Sequence, residues 1–424
     1  MEPVLRFIER LVPRPIYRFF QPAYHYALSW AGAVAYRHPS RGLCVVAVTG
    51  TKGKSSTVEL IRCLLAGAGY RAASLSTIQF CIGEECRPNR YKMTVPGRFA
   101  VQKFLREALD AGCTHAIVEM TSEGVRQSRH RNIDFNALVF TNLAPEHLES
   151  HGSFEAYRDA KLSLARAVAD SPKRPRILVA NADDPHGAAF LDFPVEVKAS
   201  YSLRDAEPYH ADDRSARFTW HGELFSVPLP GLFNLYNCLA ALALGDALGL
   251  PRPAMKRALE HVAPVAGRAQ RIECGQPFDV IVDYAHTVES LTALYETFSA
   301  GGKRRLIALI GATGGGRDAR KRAARGALAQ RYAARTFITN EDPYDEDPLA
   351  IMQALAAGFT NKTPQLILDR RAAIRAALKA AREGDVVLIT GKGTDPYLMG
   401  PRGQKTPWSD AAVATEELKK LGYH

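Results

Sequence analysis

The stretch VAVTGTKGKSST, residues 46–57, decides how this chain is read. An apolar, β-branched run ends in a glycine-rich turn, and a helical pattern begins at Lys54. Successive backbone N–H groups at such a turn, backed by a helix N-terminus, form a cradle for phosphate. Gly50, Thr51, Lys52, Gly53, Lys54, Ser55 and Ser56 are therefore the candidate nucleotide-binding residues. Lys54 can reach terminal phosphates, and Ser55 can offer its hydroxyl to magnesium. The spacing Gly50-x-x-Gly53-Lys54-Ser55 is shorter than the general GxxxxGK[ST] pattern, so the loop is a variant form. A purely structural turn with a chance Gly-Lys-Ser is the bland alternative. It is disfavoured because strand, turn and helix all fall where phosphate binding needs them.

Outward from this loop, short apolar runs alternate with amphipathic helical windows, the pattern of parallel βαβ units. Strands are expected at 43–48, 115–119, 137–142 and 176–180, with helices at 54–68, 99–111 and 154–167. A second series follows Pro264, with strands at 279–283, 305–310, 336–339, 365–368 and 385–390. The expected architecture is α/β: a short helical segment over 1–41, a central ATP-binding domain with a parallel-rich sheet over 42–264, and a Rossmann-like domain over 265–424.

A length of 424 residues allows two or three such cores, and 46% hydrophobic with 23% charged residues fits a soluble globular chain. The net charge of +11 raises the question of nucleic acid. No basic cluster is interleaved with aromatics in a nucleic-acid motif, so anionic small-molecule substrates are the better fit. The seven cysteines, Cys44, Cys63, Cys81, Cys86, Cys113, Cys238 and Cys274, include no CxxC pair. Their spacing suits neither zinc nor disulfides, which points to a reducing, cytoplasmic compartment. At the front, Arg6, Arg10, Arg14 and Arg18 precede an apolar stretch over 23–36 that carries Tyr24, Tyr26 and Trp30. It is too short to span a bilayer, which takes about 20 residues. Two readings stay open: a helix packed on the ATP-binding domain, or an amphipathic segment, within residues 1–40, that touches a membrane surface.

TGTKGKSST resembles the phosphate loop of the Mur ligases and of their relative folylpolyglutamate synthase, and further motifs follow in the same order. AIVEMTSEG (116–124) resembles the strand whose end supplies a magnesium-binding glutamate, here Glu119. TNLAPEHLESHGSFEAYRDAK (141–161) resembles the segment that ends in the family's carbamylated lysine, here Lys161, and His147 within it resembles a metal ligand. GLFNLYN (231–237) is similar to an asparagine pair near adenine, Asn234 and Asn237. VAGRAQRI, VDYAHT and GATGGGRDARKR resemble motifs that close over the nucleotide. Among them Asp283 is expected at ribose, with His286 and Arg268 on the phosphate side. From spacing alone Lys161 would be a solvated helix lysine, and the basic run around Lys321 and Arg322 a solvated face.

The resemblance implies ATP, two magnesium ions (held by Ser55, Glu119, His147 and Lys161), carbon dioxide for carbamylation of Lys161, and amide-bond formation through an acyl phosphate. Lys54, Lys161, His147 and Glu119 are the implied catalytic group. Within the family the match leans toward the MurE type, which adds a diamino acid to a muramyl dipeptide. Thr94, Ser122, Gln127 and Arg129 stand at its acceptor-binding positions; Asp342, Tyr344, Lys392 and Asp395 stand at its amino-acid-binding positions. Tyr344 occupies the place of an arginine that would grip a distal carboxylate, which a tyrosine cannot do bidentately. The roughly 41 residues ahead of the loop are too few for that type's UDP-binding domain, so a lipid-linked acceptor is an alternative. The expected enzyme is a monomer acting on small molecules. Rival readings are a folylpolyglutamate-type ligase, an amidotransferase-dependent subunit of MurT type, for which the four-cysteine zinc ribbon is absent, and a non-catalytic phosphate-binding scaffold.

Overall fold

The computed structural model describes residues 14–91, 93–146, 151–315 and 319–424. Contacts divide the chain into two compact units, Met1–Leu203 with Asn237–Ala258, and Arg204–Tyr236 with Leu259–His424.

The first unit carries an eight-stranded sheet in the order β4-β3-β2-β5-β1-β6-β7-β8. Its strands are β1 (Cys44–Thr49), β2 (Ala72–Leu75), β3 (Gln79–Ile82), β4 (Glu85–Pro88), β5 (His115–Glu119), β6 (Ala137–Phe140), β7 (Ile177–Asn181) and β8 (Val197–Tyr201). From β2 to β8 the neighbours run parallel, and β3 and β4 add an antiparallel hairpin at one edge. Strands β1, β6 and β7 are buried along almost their whole length, the reason they read as continuous apolar runs instead of alternating ones. β1 lies between β5 and β6, with Val48 opposite both Glu119 and Val139. The carboxyl ends of these three strands therefore open side by side, where ligands of open α/β sheets collect.

Helices Lys54–Gly67, Arg98–Asp110 and Phe154–Ala169 flank the sheet, close to the expected windows. Ser153 caps the third, its hydroxyl accepting from Ala156 N at 3.1 Å. The N-terminal helix Arg14–Ala35 packs on Arg98–Asp110. Gly32 lies against Phe99 and Gln102, and the Ser29 hydroxyl donates to Arg131 O at 2.6 Å.

The second unit holds a three-stranded antiparallel sheet, β9 (Tyr209–Ala211), β10 (Ala216–Trp220) and β11 (Glu223–Val227). Its larger sheet runs β12-β13-β17-β14-β15-β16. These strands are β12 (Gln270–Arg271), β13 (Asp279–Asp283), β14 (Leu306–Ile310), β15 (Ala333–Ile338), β16 (Gln365–Leu366) and β17 (Val386–Thr390). All pairs except β12–β13 are parallel. Residues 204–236 group with this unit although a single cut near 264 was expected, and charge explains part of it. Asp213 meets Arg304 at 2.6 Å, and Arg304 also meets Asp279 at 2.6 Å.

Two expectations are corrected. Cys81 and Cys86 form a disulfide, because the turn at Gly83 (φ 62°) sets them directly opposite across the β3–β4 hairpin; spacing had argued against any disulfide while that hairpin was unforeseen. Arg322 is not on a solvated face: it is 4% exposed, ion-paired with Glu346, and donates to Thr313 O at 3.2 Å.

Arg370 and Asp410 form a buried bidentate pair at 2.8 and 2.7 Å, and Trp408 Nε1 donates to Asp410 at 2.8 Å. Removing one partner strands the other charge in the core. Asp410→Ala should destabilise the second unit by about 3–5 kcal/mol, read as an earlier urea transition in Trp408 fluorescence.

Candidate active site

The first-unit site begins where β1 ends. Gly50 has φ +151°, and a Cβ there would sit 1.9 Å from the Thr141 hydroxyl. Gly53 has φ +82°, and its Cβ would fall 2.3 Å from Asn237 Oδ1. The turn is thus closed on both sides to any side chain. Asn142, past the end of β6, fixes it: its carbonyl accepts from Thr51 N at 2.8 Å and its Oδ1 from Lys52 N at 2.9 Å. The first intrahelical bond runs from Thr57 N to Gly53 O at 2.9 Å. The amides that precede it leave the first turn outward, the geometry that receives a phosphate.

Two lysines converge on one carbonyl. Lys54 Nζ donates to Gly50 O at 3.1 Å and to Thr51 O at 2.9 Å, and Lys161 Nζ donates to the same Gly50 O at 2.5 Å. Lys161 is 1% exposed, so the solvated-lysine alternative is removed. Burial, then the neighbouring Lys54 charge, drives its amine well below the ordinary lysine range, against the pull of Glu146 and Glu119. Its Nζ also lies 4.8 Å from the Tyr157 ring centroid, and Tyr157 shares a 3.0 Å hydrogen bond with Thr51.

Glu119, at the end of β5, accepts from the Ser55 hydroxyl at 2.8 Å and from Thr77 N at 2.8 Å on one oxygen, and from the Thr77 hydroxyl at 3.0 Å on the other. Thr77 in turn bonds the Thr94 hydroxyl at 2.8 Å. Ser56 is buried in the same helix turn. Thr77 escaped the sequence reading because it sits in a bend with no motif. So did Glu146, whose carboxylate takes Lys52 Nζ at 2.7 Å, although it adjoins His147 in the APEH run. His147 itself lies outside the described residues. Farther along, Ser122 pairs with His151 Nε2 at 3.0 Å, while Arg129 donates to Gln127 Oε1 at 2.6 Å and to Val95 O. Ser122, Gln127, Arg129 and Thr94 thus share this unit with the loop.

In the second unit Asp283, Asp342 and Lys392 stand at or just past the carboxyl ends of β13, β15 and β17. Asp283 accepts from Ala269 N and Ala285 N, both at 2.6 Å, and burial pushes its carboxyl upward against the field of Arg268. The Arg268 guanidinium lies over the Tyr284 ring at 4.5 Å, and His286 Nδ1 meets Tyr284 O at 2.9 Å. Asn234 Nδ2 donates to Pro230 O at 2.9 Å. Lys392 Nζ bridges both oxygens of Asp342 and one of Asp395, each at 2.9 Å. Burial opposes its charge, but the two carboxylates more than offset this and raise its pKa. Tyr344 follows, half-buried, with φ +52°.

Two family models match the sequence: the Mur ligase middle domain over residues 48–245, and the Mur ligase glutamate ligase domain over residues 267–393. A UDP-N-acetylmuramyl-tripeptide synthetase from Roseiflexus sp. is 38% identical over 97% of this chain and 85% of its own. A UDP-N-acetylmuramoyl-L-alanyl-D-glutamate–2,6-diaminopimelate ligase from Syntrophomonas wolfei is 34% identical over 93% of this chain and 82% of its own. A solved diaminopimelate ligase of the same name is 27% identical, covers 93% of this chain and 82% of its own, and has a TM-score of 0.61. Folylpolyglutamate synthase from Mycobacterium tuberculosis, 16% identical, covers 94% of this chain and 96% of its own with a TM-score of 0.71, a likeness of fold alone.

The buried amine carries a pH signature. With its pKa depressed below 10.5, folded Lys161 holds fewer protons than the unfolded chain across that interval, so unfolding takes up a proton there. The penalty is complete at pH values under the depressed one and fades as pH rises toward 10.5. In carbon-dioxide-free buffer the native chain should gain stability relative to Lys161→Met as pH rises, by up to about 1.4 kcal/mol per unit in urea titrations. Parallel curves for the two proteins would refute the lowered pKa of the buried amine.

Proposed function

Because the chain belongs to the Mur ligase family, we propose that it is an ATP-dependent ligase that joins an amino acid, in our reading a diamino acid, to a muramyl-peptide precursor of the cell wall. The observation that carries this reading is the convergence of Lys54 and Lys161 on Gly50 O beside the Ser55–Glu119 pair. Such a cluster sets a lysine ammonium, a second amine inclined to shed its proton and a carboxylate around the phosphate-loop turn, a set suited to a nucleotide's phosphates and their magnesium.

The residues present fit magnesium. Among the described residues no three His, Cys, Asp or Glu side chains converge as a self-contained metal cage. Ser55 and Glu119 instead supply two oxygen donors in contact, which suits an ion that takes one or two protein ligands and completes its shell with phosphates and water. His147 and carbamylated Lys161 would add to this set. Magnesium, when bound, supplies positive charge against the phosphate oxygens. Lys161, buried and inclined to shed its proton, is suited to adding carbon dioxide as a carbamate, with loss of one proton. Residues 50–56 hold the phosphates, with Lys54 at the terminal group. The acceptor's terminal carboxylate is phosphorylated, ADP leaves, and the incoming amine then displaces phosphate at the same carbon while giving up a proton.

Thr94, Ser122, Gln127 and Arg129 orient the acceptor in this reading, and Asn234, Asn237, Arg268, Asp283 and His286 serve the nucleotide. The amino acid falls to Asp342, Tyr344, Lys392 and Asp395. Tyr344 offers no guanidinium for a distal carboxylate, which favours a donor without one, such as lysine. The relatives' names differ on this point, one group specifying diaminopimelate and the other only a tripeptide product. The enzyme would act in the cytoplasm as a monomer.

The test is ADP release against a panel of diamino acids, with UDP-linked and lipid-linked muramyl dipeptides side by side. One amine should stimulate turnover, and Glu119→Gln should lower it about 100- to 1,000-fold. Absence of stimulation by any amine with either acceptor would overturn the assignment.

A further inference from the structure

The N-terminal helix Arg14–Ala35 is turned inside out. Its inward face is small or polar: Ser29 is 1% exposed, Ala33 is fully buried, and His25 and Gly32 lie beside them. Its outward face is apolar. Phe20 is 60% exposed, Trp30 54%, Val34 45% and Tyr24 38%, with Tyr26 at the margin at 51%. Ala23 and Ala27 are exposed in the same row, so positions 20, 23, 24, 27, 30 and 34 form one stripe at helical spacing. Single exposed apolar residues are ordinary on a protein surface; a continuous aromatic stripe is not.

Charge selects the occupant. From residue 10 to residue 41 the sequence contains Arg10, Arg14, Arg18, Arg37 and Arg41 and no Asp or Glu. Trp and Tyr favour the headgroup level of a bilayer, and arginines at both ends of an apolar helix favour anionic lipid. No helix among the described residues is long and apolar enough to cross a membrane. We propose that the outward face of Arg14–Ala35 lies flat on the surface of an anionic lipid bilayer, with the polar face holding the first unit to it.

The test uses the full chain in co-sedimentation with vesicles of phosphatidylcholine alone and of phosphatidylcholine mixed with phosphatidylglycerol. Binding should be selective for the anionic vesicles and weaken as salt is raised. The double variant Phe20→Ser/Trp30→Ser changes only exposed positions, so its thermal melt should match the parent. Its partitioning should fall by at least about tenfold. Equal binding of parent and variant, or none to anionic vesicles, overturns the proposal. So does a concentration-dependent dimer in light scattering that the same substitutions abolish, since the stripe would then meet a second copy of the chain.

Discussion

Two lysine amines share one backbone carbonyl, and the first unit is arranged around that crowding. Residue 50, whose O receives both lysines, can be only glycine: φ is +151° and a Cβ would meet the Thr141 hydroxyl. Thr141 and Asn142 on the adjacent strand end hold the turn in that state. Lys161 reaches it because the Phe154–Ala169 helix starts at a fixed point, the Ser153 cap. A charged amine is costly at that depth, which is why burial drives the Lys161 pKa down.

The second unit solves a similar problem internally. Lys392 is as deeply buried as Lys161, but Asp342 and Asp395 surround it. One lysine has its pKa driven down by burial and the other has its pKa raised by pairing, a contrast set by the carboxylates that each one meets. The pairing also changes the meaning of Asp395, expected at an amino-acid-binding position: the side chain already accepts from a lysine of the same chain. A donor amine would have to join that network as a further partner.

Much of this was legible in the residues. The loop and the parallel strands flanking it follow from apolar runs ending in glycine, signals that are local in sequence, whereas Glu119 was singled out only by the resemblance of AIVEMTSEG to the Mur ligases. Thr77 and Glu146 were invisible because their roles depend on which strand ends become neighbours, a property of sheet order and not of any one motif. The Cys81–Cys86 bond depended on recognising a two-stranded edge from eight residues with little alternation. The attachment of residues 204–236 to the second unit rests in part on Asp213 finding Arg304, ninety-one positions away.

The order of the second sheet has a consequence for how the chain is made. β17 sits between β13 and β14, yet it is the last of the three to be synthesised. Until it emerges, β13 and β14 each present an open edge where the sheet's middle belongs. Joining them requires contacts across about a hundred residues, the kind of long-range closure that slows folding. A nascent chain stalled before residue 386 would therefore be a pair of sticky half-sheets, a form exposed to misassembly and to chaperone capture.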